Sequence, residues 1–403
     1  MKFIHLADSH LDGFKEQRLS DLGFENFRYC ISFAIEKQVD FVLIAGDLFN
    51  SAIPRIDTIK ETTKELKKLK DLNIPVYYIP GSHDFSINGR TMLEVLEFAG
   101  LLINVMKGEI VDEKLNLKYL TDKKTGAKIT GIMGKKGMLD KEYYENLIVP
   151  EKDDSFHIFM FHTAITELRP KKLEKMESYP VSFLPNGFDY YAGGHVHIRD
   201  RYSGIEHKNV VYPGPTFPNN FSELEELEYG SFIYYDDSNK EKPYEYIKIP
   251  SKKIISFHID CENKSPNQIL EESLFLLENK DFSSSIVLFR FQGTLSEGKT
   301  SEINFNKIMK LCYDNGAFVV LKNTYKLQAK IFEEIGSSIP DSDNIEDETI
   351  LQHLGQFKIS ENKDEKEIIT RLINELGLES LDGEKKTVFV ERVIDQAKDI
   401  MEK

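Results

Sequence analysis

The chain has 403 residues, enough for two or three domains. Its 67 acidic side chains outnumber 52 basic ones for a formal charge of −15, an unusual balance for a protein that meets nucleic acid. Three scattered cysteines (Cys30, Cys261, Cys312), with no C-x-x-C among them, exclude a disulfide framework and a zinc ribbon. No apolar run approaches the roughly 18 residues of a membrane span, and the amino terminus reads straight into a strand, so no signal peptide is expected.

In chain order, five apolar runs read as buried strands, and each ends in residues that a metal ion would take as ligands. Residues 3–7 lead into Asp8-Ser9-His10, and residues 41–45 into Gly46-Asp47. A helix follows over 56–72, with apolar positions 59, 66 and 69 and a proline stop at Asn73-Ile74-Pro75. Residues 76–79 lead into Gly81-Ser82-His83-Asp84, and a second helical run spans 91–102. Residues 157–161 end at His162, and residues 190–192 lead into Gly194-His195-Val196-His197. Asp236-Asp237-Ser238-Asn239-Lys240 is a turn-rich break. A smaller module then shows strands near 253–260, 285–292 and 317–322 and helices near 266–279 and 303–314. Residues 337–344 read as a linker. Beyond it, apolar stripes mark two helices, 366–376 and 387–401.

Taken one at a time, each of these histidines has an ordinary hydrogen-bonded role available, and Gly46-Asp47 alone is a common strand-to-turn cap. His5, His157 and His207, which no motif claims, keep that ordinary role. Five such segments, each at the carboxyl end of a strand, make a site, because open α/β sheets bind ligands at that edge. Mixed Asp and His donors suit manganese, iron or zinc better than magnesium or calcium. In extended chain, residues two apart share a face, so Asp8 and His10, or His195 and His197, can reach one ion. The donors exceed the needs of one tetrahedral ion. Two ions sharing a carboxylate, roughly 3.5–4 Å apart, would use them all and bring the pKa of a bridging water to about 7. On the residues alone the chain reads as a phosphoester hydrolase.

D-x-H, G-D-L-F, G-S-H-D, a strand-end His and G-H-V-H, in this order over residues 1 to about 220, resemble the calcineurin-like metallophosphoesterases. The chain is most similar to the meiotic-recombination-eleven nucleases of double-strand-break repair, called SbcD in bacteria. Leu48-Phe49 after Gly46-Asp47 carries that choice; protein phosphatases have Asp-Arg-Gly soon after, where this chain has Asn50-Ser51-Ala52.

The resemblance implies an α/β fold: a two-layered β-sandwich metallophosphoesterase core flanked by helices, a smaller α+β capping domain and a C-terminal helical partner-binding tail. The expected divisions are a nuclease domain over 1–235, a DNA-binding cap over 243–335, a linker over 336–360 and a helical segment over 361–403. Asp8, His10, Asp47 and His197 would hold one ion, and Asp47 would bridge to a second held by His162, His195 and Ser82. Ser82 stands where the superfamily has Asn, so that ion would be weaker or held through water. His83 would protonate or stabilise the leaving oxygen, with Asp84 orienting its ring.

The implied cofactors are two manganese ions, with magnesium, iron or zinc as alternatives. The implied partners are DNA, a second copy of the chain paired through the helices near 56–72 and 91–102, and a coiled-coil SMC-like ATPase of the SbcC type. That ATPase would dock on the tail, since two short helices beyond a linker bury their stripes poorly alone. The implied activity is manganese-dependent: exonuclease on duplex ends, three-prime to five-prime, and endonuclease on single strands, in an intracellular, nucleoid-associated protein without membrane contact.

Charge distribution softens the acidic balance. Residues 340–403 hold 17 acidic against 9 basic side chains. Basic residues follow the ligand loops (Lys15, Arg18, Arg55, Arg90, Lys135-Lys136, Arg169, Lys171, Lys172, Arg199, Arg201) and could meet phosphates. Two other classes stay open: a phosphodiesterase on a small nucleotide, which would need neither cap nor tail, and a scaffold that has lost catalysis through Ser82.

Overall fold

The computed structural model describes residues 1–85, 91–135, 137, 139–174, 176–329, 371, 392–398 and 400. The expected linker over 336–360 lies outside the described residues. Of the expected tail only Arg371, residues 392–398 and Ile400 are described, and these are helical.

Strand β1 (Lys2–Leu6), helix α1 (Gln17–Glu36), β2 (Phe41–Ala45), α2 (Ile56–Asp71), β3 (Val76–Ile79), α3 (Met92–Phe98) and β4 (Ile103–Asn104) open the chain. There follow β5 (Lys107–Val111), β6 (Lys114–Lys118), β7 (Leu120–Thr121), β8 (Lys128–Ile132), α4 (Lys141–Glu145) and β9 (Leu147–Ile148). Then come β10 (His157–His162), β11 (Tyr190–Gly194), β12 (Arg199–Tyr202), β13 (Val210–Pro213), α5 (Phe221–Leu227), β14 (Ser231–Asp236) and β15 (Tyr244–Lys248). The last elements are β16 (Ile254–Asp260), α6 (Pro266–Leu277), β17 (Ile286–Thr294), α7 (Phe305–Asp314) and β18 (Val319–Gln328).

One six-stranded sheet has the order β15-β14-β1-β2-β3-β4, another β12-β13-β11-β10-β8-β7. β1, β2, β3 and β4 run parallel in the first. β8, β10, β11 and β13 run parallel in the second. A parallel strand covered on both faces must be apolar throughout, which is why these runs do not alternate.

The two faces still diverge. Phe3, Phe41, Leu43, Tyr77 and Ile79 turn inward to meet Ile129, Ile158, Met160, Tyr190 and Ala192 of the second sheet. Ile4, Leu6, Val42, Ile44, Val76 and Tyr78 turn outward onto Phe27, Ile31, Leu66, Leu69 and Leu93 of the flanking helices. The core is therefore α/β with two stacked sheets and helices on the outside. Each buried aromatic of this size contributes about 1.5–3 kcal/mol by leaving water.

The expected break at residues 236–240 is a hairpin turn. β15 pairs antiparallel with β14, Phe232 opposite Ile247, so the first sheet continues to Lys248. In the expected dimer helices, Leu96 and Leu101 enter the core at 2% and 7% exposure, whereas Phe98 is 91% exposed. Strands β16, β17 and β18 form a separate three-stranded sheet.

By compactness the chain divides into two units. The first holds Met1–Ile259, Ser273–Phe291 and Phe305–Thr324; the second holds Asp260–Glu272, Gln292–Asn304 and Tyr325–Lys403. Within the first, Ile286, Leu288 and Val319 pack with Leu19, Leu22, Phe217 and Leu224. Within the second, the Glu262 carboxylate accepts from the Thr294 N–H at 2.8 Å. Among the described residues no helix is long and apolar enough to cross a membrane.

Candidate metal centre

Parallel strands of both sheets end at one edge, and backbone hydrogen bonds knit their loops together. The Asp8 N–H donates to the Gly46 carbonyl at 3.1 Å, and the His10 N–H to the Asp47 carbonyl at 3.0 Å. The His195 N–H donates to both Asp8 oxygens, at 2.9 and 3.0 Å, and so ties the second sheet to the first. Gly46, at φ +87°, admits no side chain: a Cβ there would stand 2.1 Å from His162 Nδ1.

The ligand loops are not extended. Asp8 (φ 52°), His10 (φ 40°), Asp47 (φ 50°), His195 (φ 101°) and His197 (φ 54°) all lie at positive φ. This corrects the expectation that i, i+2 pairs share a strand face. Strands β1, β2 and β11 stop before their ligands, and positive-φ turns aim those side chains instead, whereas His162 is the last residue of β10 itself. Such conformations are costly for these residue types and cluster where a site over-determines them. One consequence is that His195 and His197 part company.

Three groups of donor atoms converge, each with its atoms within 4.8 Å of one another: Asp8, His10 and His197; His10, Asp47 and His83; and Asp47, His162 and His195. Asp47 Oδ2 lies 3.6 Å from His10 Nε2 and 3.1 Å from His162 Nε2, so it stands between the first group and the third. Ser82 Oγ is 3.5 Å from the same Asp47 oxygen, and the His83 N–H donates to Oδ1 at 2.7 Å.

The donors fit cations on an observation independent of any motif. His162 Nδ1 lies 2.8 Å from the Ala45 carbonyl. A carbonyl only accepts, so Nδ1 carries the proton and a neutral ring points its lone pair inward from Nε2. That Nε2 is buried and has no hydrogen-bond partner. Likewise His197 Nδ1 faces the Glu223 carboxylate at 3.0 Å, which turns Nε2 toward His10 Nε2 at 3.0 Å.

Electrostatics agree with a site built for positive charge. Burial pushes Asp8 up against the pull of the His197 and His162 rings. Burial opposes charge on His162, yet the Asp47 carboxylate outweighs it and raises the ring to about 10, so Asp47 favours a positive charge at Nε2, whether a proton or a cation in its place. Burial, and after it the His162 ring, lower His195 to about 3.

His83 sits at the rim. Its Nδ1 is 3.1 Å from the Asn50 carbonyl, so the proton is on Nδ1 of the neutral ring and Nε2 carries the lone pair. Asp84 does not orient this ring as expected. Its oxygens accept from the Phe49 N–H at 3.2 Å and the Gly81 N–H at 2.8 Å, so it clamps two ligand loops together. Burial, then the Asp47 charge, push Asp84 up to about 7.

Sequence reasoning missed Glu223. Its signal is Asn220-x-x-Glu223, a helix-start pattern in which Asn220 accepts from the Glu223 N–H at 3.0 Å. Nothing in the pattern says that the Glu side chain reaches His197.

The expected phosphate-binding cations are largely engaged within the protein. Arg18 donates to the Phe318 carbonyl at 2.7 Å and Arg169 to the Met176 carbonyl at 2.6 Å. Arg55 bonds Gln17 and Ser20 and pairs with Asp12. Lys172 pairs with Glu226. Arg199 caps α5, and Arg201 bonds the Tyr244 hydroxyl. Arg90 and Lys136 lie outside the described residues. His5, His157 and His207 bond Tyr190, Asp153 and the Leu184 carbonyl respectively.

The calcineurin-like phosphoesterase family matches residues 1–199. The chain is 29% identical to the DNA double-strand break repair protein Mre11 of Methanococcus maripaludis over 276 residues, 66% of this chain and 71% of the relative. It is 32% identical to the Archaeoglobus fulgidus protein of the same name over 53% of this chain and 49% of the relative. It is 30% identical to the uncharacterized metallophosphoesterase YhaO of Bacillus subtilis over 55% of each chain. In the last two the match spans about half of the relative's length. With its metal-type donors gathered at one sheet edge, residues 1–199 match the calcineurin-like phosphoesterases, and the chain is similar to the Mre11 proteins over about half to two thirds of its length.

Proposed function

We propose that this protein is a manganese-dependent DNA nuclease that processes double-strand-break ends, cutting duplex ends as an exonuclease and single strands as an endonuclease. The observation that carries the reading is Asp47, shared between a first donor group with Asp8, His10 and His197 and a second with His162 and His195. Ser82 completes the second group. Two cations bound there would polarise phosphoryl oxygens and lower the pKa of a water between them.

The remaining work falls to side chains of the rim. The His83 ring is held from behind by the Asn50 carbonyl, and its ring lies at right angles to His10 with centroids 4.9 Å apart. Once it carries a second proton, on Nε2, the ring protonates, or donates a hydrogen bond to, the departing sugar oxygen, a role worth typically about 10²–10⁴ in rate. Asp84 keeps the Gly81 and Phe49 loops in register so that His83 and Asp47 stay aligned.

The domains assigned from the sequence, a nuclease body, a DNA-contacting cap and a tail for an SbcC-type coiled-coil ATPase, complete the proposal. A homodimer is supported by Ile56, Val95 and Phe98, which expose apolar surface on α2 and α3. An intracellular setting follows from the substrate.

The test is cleavage of an end-labelled duplex and of a circular single strand with manganese, run beside His83→Gln. Cleavage of both by the native protein, lost in the variant while manganese stays bound, supports the reading. A protein that binds manganese yet cuts neither DNA, alone or with its ATPase and ATP, overturns it.

A further inference from the structure

Helix α5 is seven residues long, too short to hold itself together in water. Its surroundings fix it. Asn220 caps its start, Leu224 is fully buried, and Arg199 Nη2 donates to the Leu227 carbonyl at its end at 3.1 Å. Two of its carboxylates then reach in different directions. Glu223 Oε1 lies 3.0 Å from His197 Nδ1, while Oε2 accepts from the Asn219 N–H at 2.8 Å. Glu225 is gripped by Arg290 of β17, whose Nε lies 3.2 and 3.1 Å from the two carboxylate oxygens. The same guanidinium donates to Ser222 Oγ at 3.3 Å and lies 5.1 Å from the centroid of the Phe221 ring.

We infer that Glu223 is a positioning residue for His197, and that Arg290 sets Glu223 through the body of α5, so that strand β17 tunes how tightly the metal centre holds one cation. The chemistry of the first link is that of a carboxylate behind a metal-binding imidazole. Glu223 fixes the proton on Nδ1, stops the ring from rotating, and makes Nε2 a better donor.

The second link is mechanical. A helix of about two turns with one buried apolar anchor, Leu224, can pivot about it. Arg290 near the middle and Arg199 at the end oppose the pivot, together with the more exposed Lys172–Glu226 pair. The Arg290–Glu225 pair is forked and charge-assisted, so it fixes orientation and not merely distance. Its side chains are 19% and 10% exposed, which limits screening by solvent.

This inference rests on the reading of Asp8, His10 and His197 as ligands of one cation. The experiment is calorimetric titration of manganese(II) into the full chain, with melting curves alongside. It compares the native protein with Glu223→Leu, Glu223→Gln, Arg290→Met and Glu225→Gln. Glu223→Leu is expected to weaken one of the two ions by about 10–100-fold and to leave the other unchanged. Glu223→Gln, which keeps an acceptor for Nδ1–H without the charge, is expected to weaken the same ion several-fold. It remains informative if the Leu variant does not fold. Arg290→Met and Glu225→Gln are expected to weaken that same ion several-fold, with no contact to any ligand.

Native binding of manganese with unchanged affinity in folded Glu223→Gln and Arg290→Met overturns the inference and leaves the site reading intact. Equal weakening of both ions, together with a lowered melting temperature, also overturns it, because that is general loosening. A native protein that binds no manganese overturns the site reading itself.

Discussion

His10 and His197 present their Nε2 atoms to each other at 3.0 Å across 187 positions of sequence. Two lone pairs so placed repel unless a proton or a cation lies between them. Cation removal is therefore expected to destabilise the fold. Manganese at a hundredfold excess over its Kd adds about 2.7 kcal/mol. A melting temperature that falls with EDTA and returns with manganese is the expected result. A melt indifferent to both, in protein shown free of bound metal at the start, counts against the centre.

Ser82→Asn should tighten one ion. The hydroxyl reaches only to 3.5 Å from Asp47 Oδ2, and a carboxamide extends further with a better acceptor oxygen. Calorimetry should show one of two manganese affinities rising while the other is constant. Equal affinities in the two proteins would refute the assignment of position 82 to the second ion.

Gly46→Ala should disable the centre without unfolding the sheets. The new Cβ would meet the His162 ring at 2.1 Å, at a φ of +87°. His162 must then leave the Ala45 carbonyl, which it now meets at 2.8 Å. Loss of the ion held by Asp47, His162 and His195 is expected, with far-UV circular dichroism retained. Manganese stoichiometry equal to native would show that the loop relaxes harmlessly.

Phe3→Ala should cost about 3–5 kcal/mol, measured by urea unfolding. Phe3 is fully buried and stacks on Phe41 and Tyr235 with ring centroids 5.1 and 4.4 Å away, so the hole falls between the two sheets. A loss below about 1 kcal/mol would mean that the inner layer collapses to fill it.

His5 gives the protein an acid-sensitive element outside the ligand set. Its Nδ1 bonds the Tyr190 hydroxyl at 3.0 Å, and burial lowers the ring from 6.5 to about 3. The folded chain thus refuses a proton that the unfolded chain accepts between those values. Stability is whole above pH 6.5 and falls as pH drops toward 3, by about 1.4 kcal/mol per unit. His5→Gln should flatten that slope over the same window in chelated protein. An unchanged slope would place the acid sensitivity elsewhere.

Much of this was legible in the residues because it depends on short-range rules. A buried parallel strand must be apolar, so β1, β2, β3, β10 and β11 announced themselves. The proline at 75 fixed the end of α2, expected over 56–72 and observed as Ile56–Asp71. What could not be read depends on contacts made across the chain. The positive φ of Asp8, Asp47 and His197 is imposed by the loops against which they pack. Asp84 clamps backbone instead of His83 because two N–H groups converge on it in space. The turn at 236–240 looked like a boundary because its composition says only that the chain reverses, not what the returning strand pairs with.

The crossing of the two sheets at the ligand edge has a consequence for how the protein comes into being. Asp8 is made long before its partners: the backbone N–H that holds its carboxylate belongs to His195, and the carboxylate behind His197 belongs to Glu223. No amino-terminal fragment short of these residues can assemble the centre. The centre therefore forms only after both sheets have closed on each other.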